Sequence, residues 1–358
     1  MKRSLRFITV IMLMMALVTF GLFAGGQKEP EEPAAEVVEE PVAAEPFNIA
    51  AFIPGVVAGS PLYEQLVSGA ERAVAEFDNA SLKVLEAGFN QAEWTEKMTS
   101  LAAGGEYDVI VSSNPSMPFV SMDVANSFPD QKFIFFDAYM NGNPQFATFL
   151  YNQVEQSYFL GYLAGLVTTS DMAGANPDLK IGMVVAQEYP ALNKMMIPGY
   201  TMGAEAVDPG ITVDFRVIGN WYDASKAADL ANAMFDVGVD GIITICGGAN
   251  QGVINAAKER GKYVYFMDSN EYDQAPGTIL GCGVLEQDRL VYETIRDAIM
   301  GKVEFGTAKI YHARDGYVDF IDDDPLYTDN VPDDVRAAQQ EIVDRIRSGE
   351  LILEVPEL

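Results

Sequence analysis

In the stretch VDGIITICGGANQGVINAAKERGKYVYFMDS (residues 239–269), two short apolar runs flank a segment with helical spacing. The runs at 239–248 and 262–269 are rich in β-branched and aromatic residues, which is typical of strands buried on both faces. The residues between them, 250–261, predict a helix. Strand, helix and strand in this order form one β–α–β unit, whose two strands run parallel.

The same alternation recurs along most of the chain from Phe47 onward. It falls into two sets of similar size, as expected for two lobes. The predicted strands lie at 47–54, 82–87, 107–114 and 132–138 in the first set, and at 179–187, 211–220, 239–248 and 262–269 in the second. The sequence therefore predicts an α/β protein with two lobes, each a doubly wound parallel sheet. A ligand cleft is expected between the lobes, at the carboxyl ends of the strands.

The first residues predict export. MKRSLRF (1–7) is positively charged, residues 8–24 are apolar, and small residues follow at 24–26. We predict a signal peptide over residues 1–26 and a secreted or periplasmic protein. An uncleaved N-terminal membrane anchor is the alternative, because the apolar run approaches the length of a membrane span. The only cysteines, Cys246 and Cys282, are far from this segment, so none is placed for a lipid anchor.

The pattern also predicts the division of the chain. Residues 27–46 contain seven glutamates and four prolines, which predicts a disordered acidic linker. We assign residues 47–152 plus about 281–320 to lobe 1 and residues 153–280 to lobe 2. Residues 308–324 predict a terminal hairpin, and 321–358 form a C-terminal extension with a helix.

Composition narrows the function. The formal net charge of −29 repels phosphate backbones, so nucleic-acid binding is not expected. The single histidine, His312, cannot supply a His-based triad or metal cluster. The glycine-rich turn CGGANQG (246–252) lacks the Lys-Ser/Thr of a phosphate-binding loop. We therefore expect no metal, no cofactor and no enzymatic activity.

Four segments together resemble the basic membrane protein (BMP) family, the PnrA-like nucleoside-binding proteins of ABC transporters. They are QVEQSYFLGYLAG (153–165), KIGMVVAQ (180–187), PGYTMGAEAVDPGITV (198–213) and the run from GNWYD to FMDSN (219–270). The resemblance extends from Phe47 to about residue 320. It implies a periplasmic binding protein type I fold that closes over a purine nucleoside and delivers it to an ABC permease in the membrane. A monomer is expected.

The resemblance also implies roles for residues that follow strands. Trp221 matches an aromatic stacking position, Asp137 a carboxylate facing the base, and Asp268 a carboxylate binding the ribose. Gly247 and Gly248 match a turn at which the backbone approaches the ligand. From the residues alone, the indole could instead cap the core, and Asp268 could cap a turn.

Three further residues are candidates from their positions. Asn114 follows a strand, where its amide could read the edge of a base or only order the loop before a proline. Tyr63 and Tyr189 are possible second stacking faces, with ordinary surface aromatics as the alternative. We expect Tyr222 to pack and Asp223 to cap the next helix, and Met195 and Met196 to belong to the core.

Two departures from the family leave the ligand open. Tyr63 and its neighbour Leu62 stand where the family has an asparagine and a phenylalanine, and Leu285 stands where it often has a lysine that reaches the ribose. The ligand could therefore be a nucleoside, a free nucleobase or a larger flat ring such as a flavin. The protein could also act as a ligand-sensing subunit rather than in transport.

Overall fold

The computed structural model describes residues 45–357. The predicted signal peptide and nearly all of the predicted linker lie outside the described residues. Two six-stranded sheets dominate the described part, and each is the centre of one lobe. The predicted fold class is confirmed.

The first sheet has the strand order β11–β5–β4–β3–β1–β2. Its strands are β1 (Phe47–Ile53), β2 (Ala80–Glu86), β3 (Val109–Ser113), β4 (Lys132–Phe136), β5 (Phe146–Tyr151) and β11 (Thr307–Tyr311). All of its pairings are parallel. The central strands β3 to β5 are almost entirely buried, which explains their continuous apolar sequence.

The second sheet has the order β12–β10–β9–β8–β6–β7, which corresponds position by position to the first. Its strands are β6 (Lys180–Val185), β7 (Thr212–Val217), β8 (Val239–Ile245), β9 (Tyr263–Asp268), β10 (Ile279–Leu285) and β12 (Val318–Phe320). The two sheets differ at one edge, where β12 is antiparallel to β10 while β11 is parallel to β5.

Helices cover both faces of the sheets. The first lobe contains α1 (Pro61–Val74), α2 (Trp94–Gly104), α3 (Met117–Val120), α4 (Met122–Ser127) and α9 (Gln287–Ile299). The second contains α5 (Gln153–Thr168), α6 (Ile197–Val207), α7 (Ala224–Phe235), α8 (Asn250–Arg260), α10 (Pro325–Asn330) and α11 (Asp333–Arg347). Among residues 45–357, no helix combines the length and apolar character needed to cross a membrane.

Helix α5 is buried on all sides because α6, α11 and the second sheet surround it. Its contact with α6 depends on glycine, since a Cβ on Gly161 would lie 2.0 Å from the carbonyl oxygen of Tyr200. The small residues of this segment therefore allow close packing, as predicted. A π-helical turn at Leu192–Met196 runs directly into α6, and Pro198 follows this turn at the second residue of α6.

The chain crosses between the lobes three times: from β5 to α5, from β10 to α9, and from β11 to β12. Two expectations are corrected by this path. The return to the first lobe occurs at α9 and not at about residue 281, because β10 pairs with β9 in the second sheet. Residues 308–324 do not form a hairpin, because β11 and β12 pair in different sheets. The predicted C-terminal helix is present as α11, which packs against α5.

Candidate functional site

A cavity of 270 Å³ lies between the lobes, at the carboxyl ends of the strands of both sheets. The structure brings every predicted site residue to its wall: Tyr63, Asn114, Asp137, Tyr189, Trp221, Gly247, Gly248 and Asp268. In open α/β sheets this edge is where ligands bind, since the loops that follow the strands converge there. The strand-end rule therefore located the cavity from the sequence.

The first lobe supplies a polar wall. The Nδ2 of Asn114, directly after β3, donates to the Tyr63 hydroxyl at 3.4 Å, and that hydroxyl donates to the carbonyl oxygen of Pro54 at 3.4 Å. The Oδ1 of Asn114 accepts from the Ser116 amide at 2.8 Å. The asparagine thus orders its loop and faces the cavity at once. Burial raises the pKa of Tyr63, which keeps its hydroxyl neutral as a donor and acceptor.

The second lobe supplies a flat aromatic wall. The rings of Trp221 and Tyr189 lie 6.3 Å apart between centroids at 38°. Gly247 lies under the indole, where a Cβ would be 3.4 Å from the Cε3 of Trp221. Its φ of 54° also favours glycine. Trp221 is partly exposed to the cavity and is not enclosed in the core of one lobe.

Asp137 of the first lobe and Asp268 of the second are the carboxylates at strand ends on the cavity wall, which Glu188 of the second lobe also lines. Asp137 follows β4 and Asp268 ends β9, which are equivalent strands of the two sheets. Both residues have positive φ, 48° and 81° respectively, a conformation that costs about 1–3 kcal/mol for residues other than glycine. Gln153 Nε2 donates to Asp137 Oδ1 at 3.1 Å, and Gln156 Nε2 donates to Asp268 Oδ1 at 3.0 Å. The two acids are thus held in strained positions by two glutamines of α5.

Burial disfavours the charged forms of both acids. Desolvation first, and repulsion from Asp268 second, raise the pKa of Asp137 well above its ordinary value. Desolvation raises the pKa of Asp268 to about 6, against the opposing effect of the Gln156 amide. Asp137 is the more enclosed of the two, with 6% of its surface exposed. The surroundings of Asp137 therefore disfavour its charged form through both burial and a neighbouring acid, whereas at Asp268 burial is opposed by an amide donor.

The cavity wall contains no lysine, arginine or histidine. Leu285, at the position where the family often has a lysine, is buried in β10. Within residues 45–357, no group of three or more His, Cys, Asp or Glu side chains is arranged to hold a metal ion. The wall therefore offers acceptors, neutral donors and aromatic faces, but no cation to balance a phosphate.

Several lining residues were missed from the sequence. Phe89, Gln153 and Gln187 all line the cavity. Phe89 follows β2 as Trp221 follows β7, and β2 and β7 are equivalent edge strands. Comparing equivalent strand ends would have identified Phe89. Gln153 is the first residue of α5, and no local signal in the sequence of this helix marks it as a lining residue.

Four smaller expectations can be compared with the structure. Tyr222 does not pack in a core: its side chain is 61% exposed, and its ring lies 5.6 Å from that of Phe89 across the cleft. Asp223 caps α7 through the Lys226 amide, as predicted. Met195 and Met196 are buried, and Met196 also lines the cavity.

The two cysteines are free thiols in buried positions. Cys246 lines the cavity, and its Sγ donates to the carbonyl oxygen of Val184 at 3.1 Å. Desolvation raises the pKa of Cys246 to about 12, so the thiol stays protonated. It therefore acts as a small apolar part of the wall rather than as a nucleophile.

Two lobes joined by three crossings around a strand-end cleft define a two-lobed solute-binding protein. The sequence matches the model of the Bmp family, described as ABC transporter substrate-binding protein PnrA-like, over residues 47–351, and the chain belongs to this family. Proteins of this family bind small molecules outside the cytoplasm, work with a membrane permease and are not enzymes.

Curated relatives extend the match. The chain is similar to a purine-binding protein of Brucella abortus, with 30% identity over 233 residues, 64% of this chain and 61% of that protein. It is also similar to the ABC transporter nucleoside-binding protein BmpA of Lactococcus lactis, with 23% identity over 270 residues, 71% of this chain and 74% of that protein.

A solved structure shares the fold. A solute-binding protein of an ABC transporter system from Aeropyrum pernix K1 superposes with a TM-score of 0.72 at 20% identity, covering 87% of this chain and 94% of that one. A second, from Conexibacter woesei, superposes with a TM-score of 0.60 and covers 86% of this chain and 99% of that one. The two-lobed architecture is therefore that of ABC solute-binding proteins.

Proposed function

We propose that this protein binds a purine nucleoside, or the free nucleobase, between its lobes and delivers it to an ABC permease. Ligand contacts with both lobes stabilise the closed arrangement by their greater affinity for it. The observation that carries the proposal is the make-up of the cavity: residues 45–357 line it with aromatic rings and with carboxylates from both lobes, and with no cation. The relatives that bind purines and nucleosides support the same ligand class.

The chemistry of the wall matches the parts of a nucleoside. The indole of Trp221 offers a face on which a planar base stacks, worth about 1–3 kcal/mol. Asp268, the anionic acid, can accept from two donors at once, as a ribose diol requires. Burial raises the pKa of Asp137 and so favours its protonated form, which can donate to a ring nitrogen of a base. Asn114 adds an amide beside it.

Size and charge argue against the alternatives. The volume of 270 Å³ is just below the range of about 300–1,000 Å³ typical of sites for drug-sized ligands, which favours a nucleoside or nucleobase over a flavin. The wall has no basic side chain to balance a phosphate, which argues against nucleotides.

Isothermal titration calorimetry on the purified protein tests the proposal. Adenosine, guanosine and inosine should bind with a stoichiometry of one, the free bases more weakly, and adenosine monophosphate and riboflavin weakly or not at all. Nucleoside concentrations should not change during prolonged incubation, since no turnover is expected. Tight binding of riboflavin, with no binding of purines, would overturn the proposal.

Export and assembly complete the proposal. The leader at residues 1–26 would carry the chain out of the cytoplasm, and residues 27–46 would connect it to the lobes. We propose that the exported protein is a monomer whose lobes present the docking surface to the permease. Fractionation and N-terminal sequencing of the exported protein test the cleavage, and light scattering tests the monomer.

A further inference from the structure

Two glutamines lie one turn apart on α5, at the point where the chain first crosses between the lobes. Gln153 and Gln156 are spaced i, i+3 and so share one face of the helix. Gln153 bonds the carboxylate that follows a strand of the first lobe, Asp137, and Gln156 bonds the carboxylate that ends a strand of the second, Asp268. One helical turn therefore contacts a carboxylate from each lobe.

The glutamines are fixed more firmly than their neighbours on the cavity wall. Gln153 is 1% exposed and Gln156 is fully buried. Gln156 Nε2 donates to the carbonyl oxygen of Gly283 at 3.0 Å as well as to Asp268, so its amide is tied to β10. Gln153 lines the cavity, whereas Gln156 does not. Gln156 can therefore act on a ligand only through Asp268.

We infer that Gln156 is a positioning residue that holds the carboxyl of Asp268 in its strained backbone conformation and favours its charged form, and that Gln153 orients the carboxyl of Asp137 from across the lobe boundary. The inference rests on the proposed function for its effect on ligand binding, but not for its effect on the carboxylates. Because α5, β9 and β10 all belong to the second lobe, a change in the angle between the lobes alters the Gln153–Asp137 contact and leaves the Gln156–Asp268 contact in place.

The electrostatic surroundings make the amides necessary. The titratable groups that interact with the two acids are each other and the hydroxyls of Tyr63, Tyr151 and Tyr189, and Glu188 and Cys246 line the same cavity. None of these groups supplies positive charge, and no cation lines the cavity. Donation from a glutamine amide is thus the contact that opposes desolvation, and it lowers the pKa of the carboxyl that accepts it.

The first experiment needs no ligand. Carbon-13 NMR of the aspartate side chains follows each carboxyl during a pH titration, and Asp268→Asn assigns the resonance. Gln156→Met retains the volume of the side chain but removes its donor. We expect it to move the titration midpoint of Asp268 upward by about one to two pH units, the size of one hydrogen bond to a charged group. An unchanged midpoint would overturn the inference.

The matched control is Gln339→Met. Gln339 is fully buried, donates from Nε2 to the carbonyl oxygen of Phe159 on the same helix, and does not line the cavity. The Gln339→Met variant should leave the titration midpoint of Asp268 unchanged. If both variants shifted the midpoint equally, the effect would come from loosening of α5, and the inference would fail. Gln156→Glu, which donates only when protonated, is the second variant in case Gln156→Met does not fold.

The second experiment uses ligand. With adenosine, guanosine or inosine as probe, Gln156→Met should weaken binding at pH 7.5 by about tenfold, and less at pH 5, where Asp268 is protonated in both proteins. Equal weakening at both pH values would contradict the inference. If the unsubstituted protein bound none of the three probes, the proposed function would fail, while the NMR titration would still decide the role of Gln156.

Discussion

In both lobes an aspartate with positive φ lies at the carboxyl end of an equivalent strand: Asp137 directly after β4, and Asp268 as the last residue of β9. The equivalence ends at their surroundings. Asp137 is nearly enclosed, while Asp268 is partly exposed and accepts from a glutamine that is itself anchored to β10. Two carboxylates at equivalent places in the fold thus differ in what raises their pKa values: burial and a neighbouring acid for Asp137, burial alone for Asp268.

The difference suggests a division of labour. When two neighbouring acids have pKa values that are driven apart, the one with the higher pKa donates a hydrogen bond and the other accepts. Under the proposed function, Asp137 of the first lobe contacts acceptors of the ligand, and Asp268 of the second lobe contacts its donors. A pair of equal anions would instead repel each other and select only cationic ligands.

The largest effect on nucleoside affinity is expected when the two aspartates are substituted one at a time. Asp268→Asn removes an anionic acceptor and should weaken nucleoside binding by about 1.5–3 kcal/mol, roughly 10–150-fold, with a smaller loss for free bases. Asp137→Asn introduces a neutral donor where burial already disfavours the charged carboxylate, and it should cost clearly less. Asparagine tolerates positive φ, so both variants should fold. Calorimetry measures the losses, and equal losses would remove the distinction between the lobes.

The second prediction compares the aromatic side chains that follow equivalent edge strands. Trp221→Ala should weaken nucleoside binding by about 1–2 kcal/mol, or about 5–30-fold, because a stacking face is lost. The melting temperature of the Trp221→Ala variant should change little, since the indole is partly exposed. Phe89→Ala should cost less, because its ring is directed partly toward Tyr222. A collapse of melting temperature with unchanged affinity would show that Trp221 is a core residue.

The alternation of apolar strands and helices predicted most of the fold because strands buried on both faces are nearly continuous in apolar residues. It missed β5 and β10. Strand β5 runs directly into the hinge residue Asn152 and then α5, without a turn signal. Strand β10 contains Gly281 and Gly283, which weaken a strand pattern. A Cβ on Gly281 would lie 2.5 Å from Leu163 of α5, so tertiary packing and not propensity explains that glycine.

The site was predictable where it followed from the strand ends. Asp137, Trp221 and Asp268 are adjacent to strands, and the carboxyl ends of parallel strands meet at one edge. Gln156 and Phe89 were not predicted. The contact of Gln156 spans 112 residues of sequence, and that of Phe89 joins the two lobes. Such contacts depend on the arrangement of the sheets, which a single sequence does not specify.

The third prediction uses pH to sharpen the comparison. Nucleoside affinity should fall about five- to tenfold between pH 7.5 and 5, as Asp268, with a pKa of about 6, loses its charge. The stability effect has the opposite sign. The carboxyl of Asp268 has a pKa of about 6 in the folded state and an ordinary pKa of 3.8 in the unfolded state, so the folded state binds this proton more tightly. The contribution of Asp268 to the free energy of unfolding therefore falls as pH rises from about 4 to 6.

Asp268→Asn separates this effect from the other carboxylates. Relative to the unsubstituted protein, the variant should gain melting temperature at pH 7.5 and little at pH 4.5, because only the anionic form is penalised by burial. Affinity for nucleosides in the variant should be nearly independent of pH over the same interval. A difference in melting temperature that is the same at both pH values would mean that Asp268 titrates normally.

The smallest expected effect concerns the mouth of the cleft. Phe89 and Tyr222 contact each other from opposite lobes, and Gln91 Nε2 donates to Gln187 Oε1 beside them at 3.4 Å. An aromatic pair of this kind contributes about 0.5–1.5 kcal/mol. Tyr222→Ala should therefore raise the rate of ligand dissociation about two- to tenfold, since the contact favours the closed arrangement without forming the cavity wall.

Stopped-flow dissociation of a nucleoside measures this rate. Tyr139→Ala is the matched control, because Tyr139 is 37% exposed and does not line the cavity. In a double-mutant cycle, Phe89→Ala and Tyr222→Ala should be less than additive, since each removes the same contact. Additive effects would show that the two rings act separately, with Phe89 contacting ligand and Tyr222 having no part in closure. In that case, contacts made by the ligand and by the carboxylates would stabilise the closed arrangement of the lobes without a contribution from these two rings.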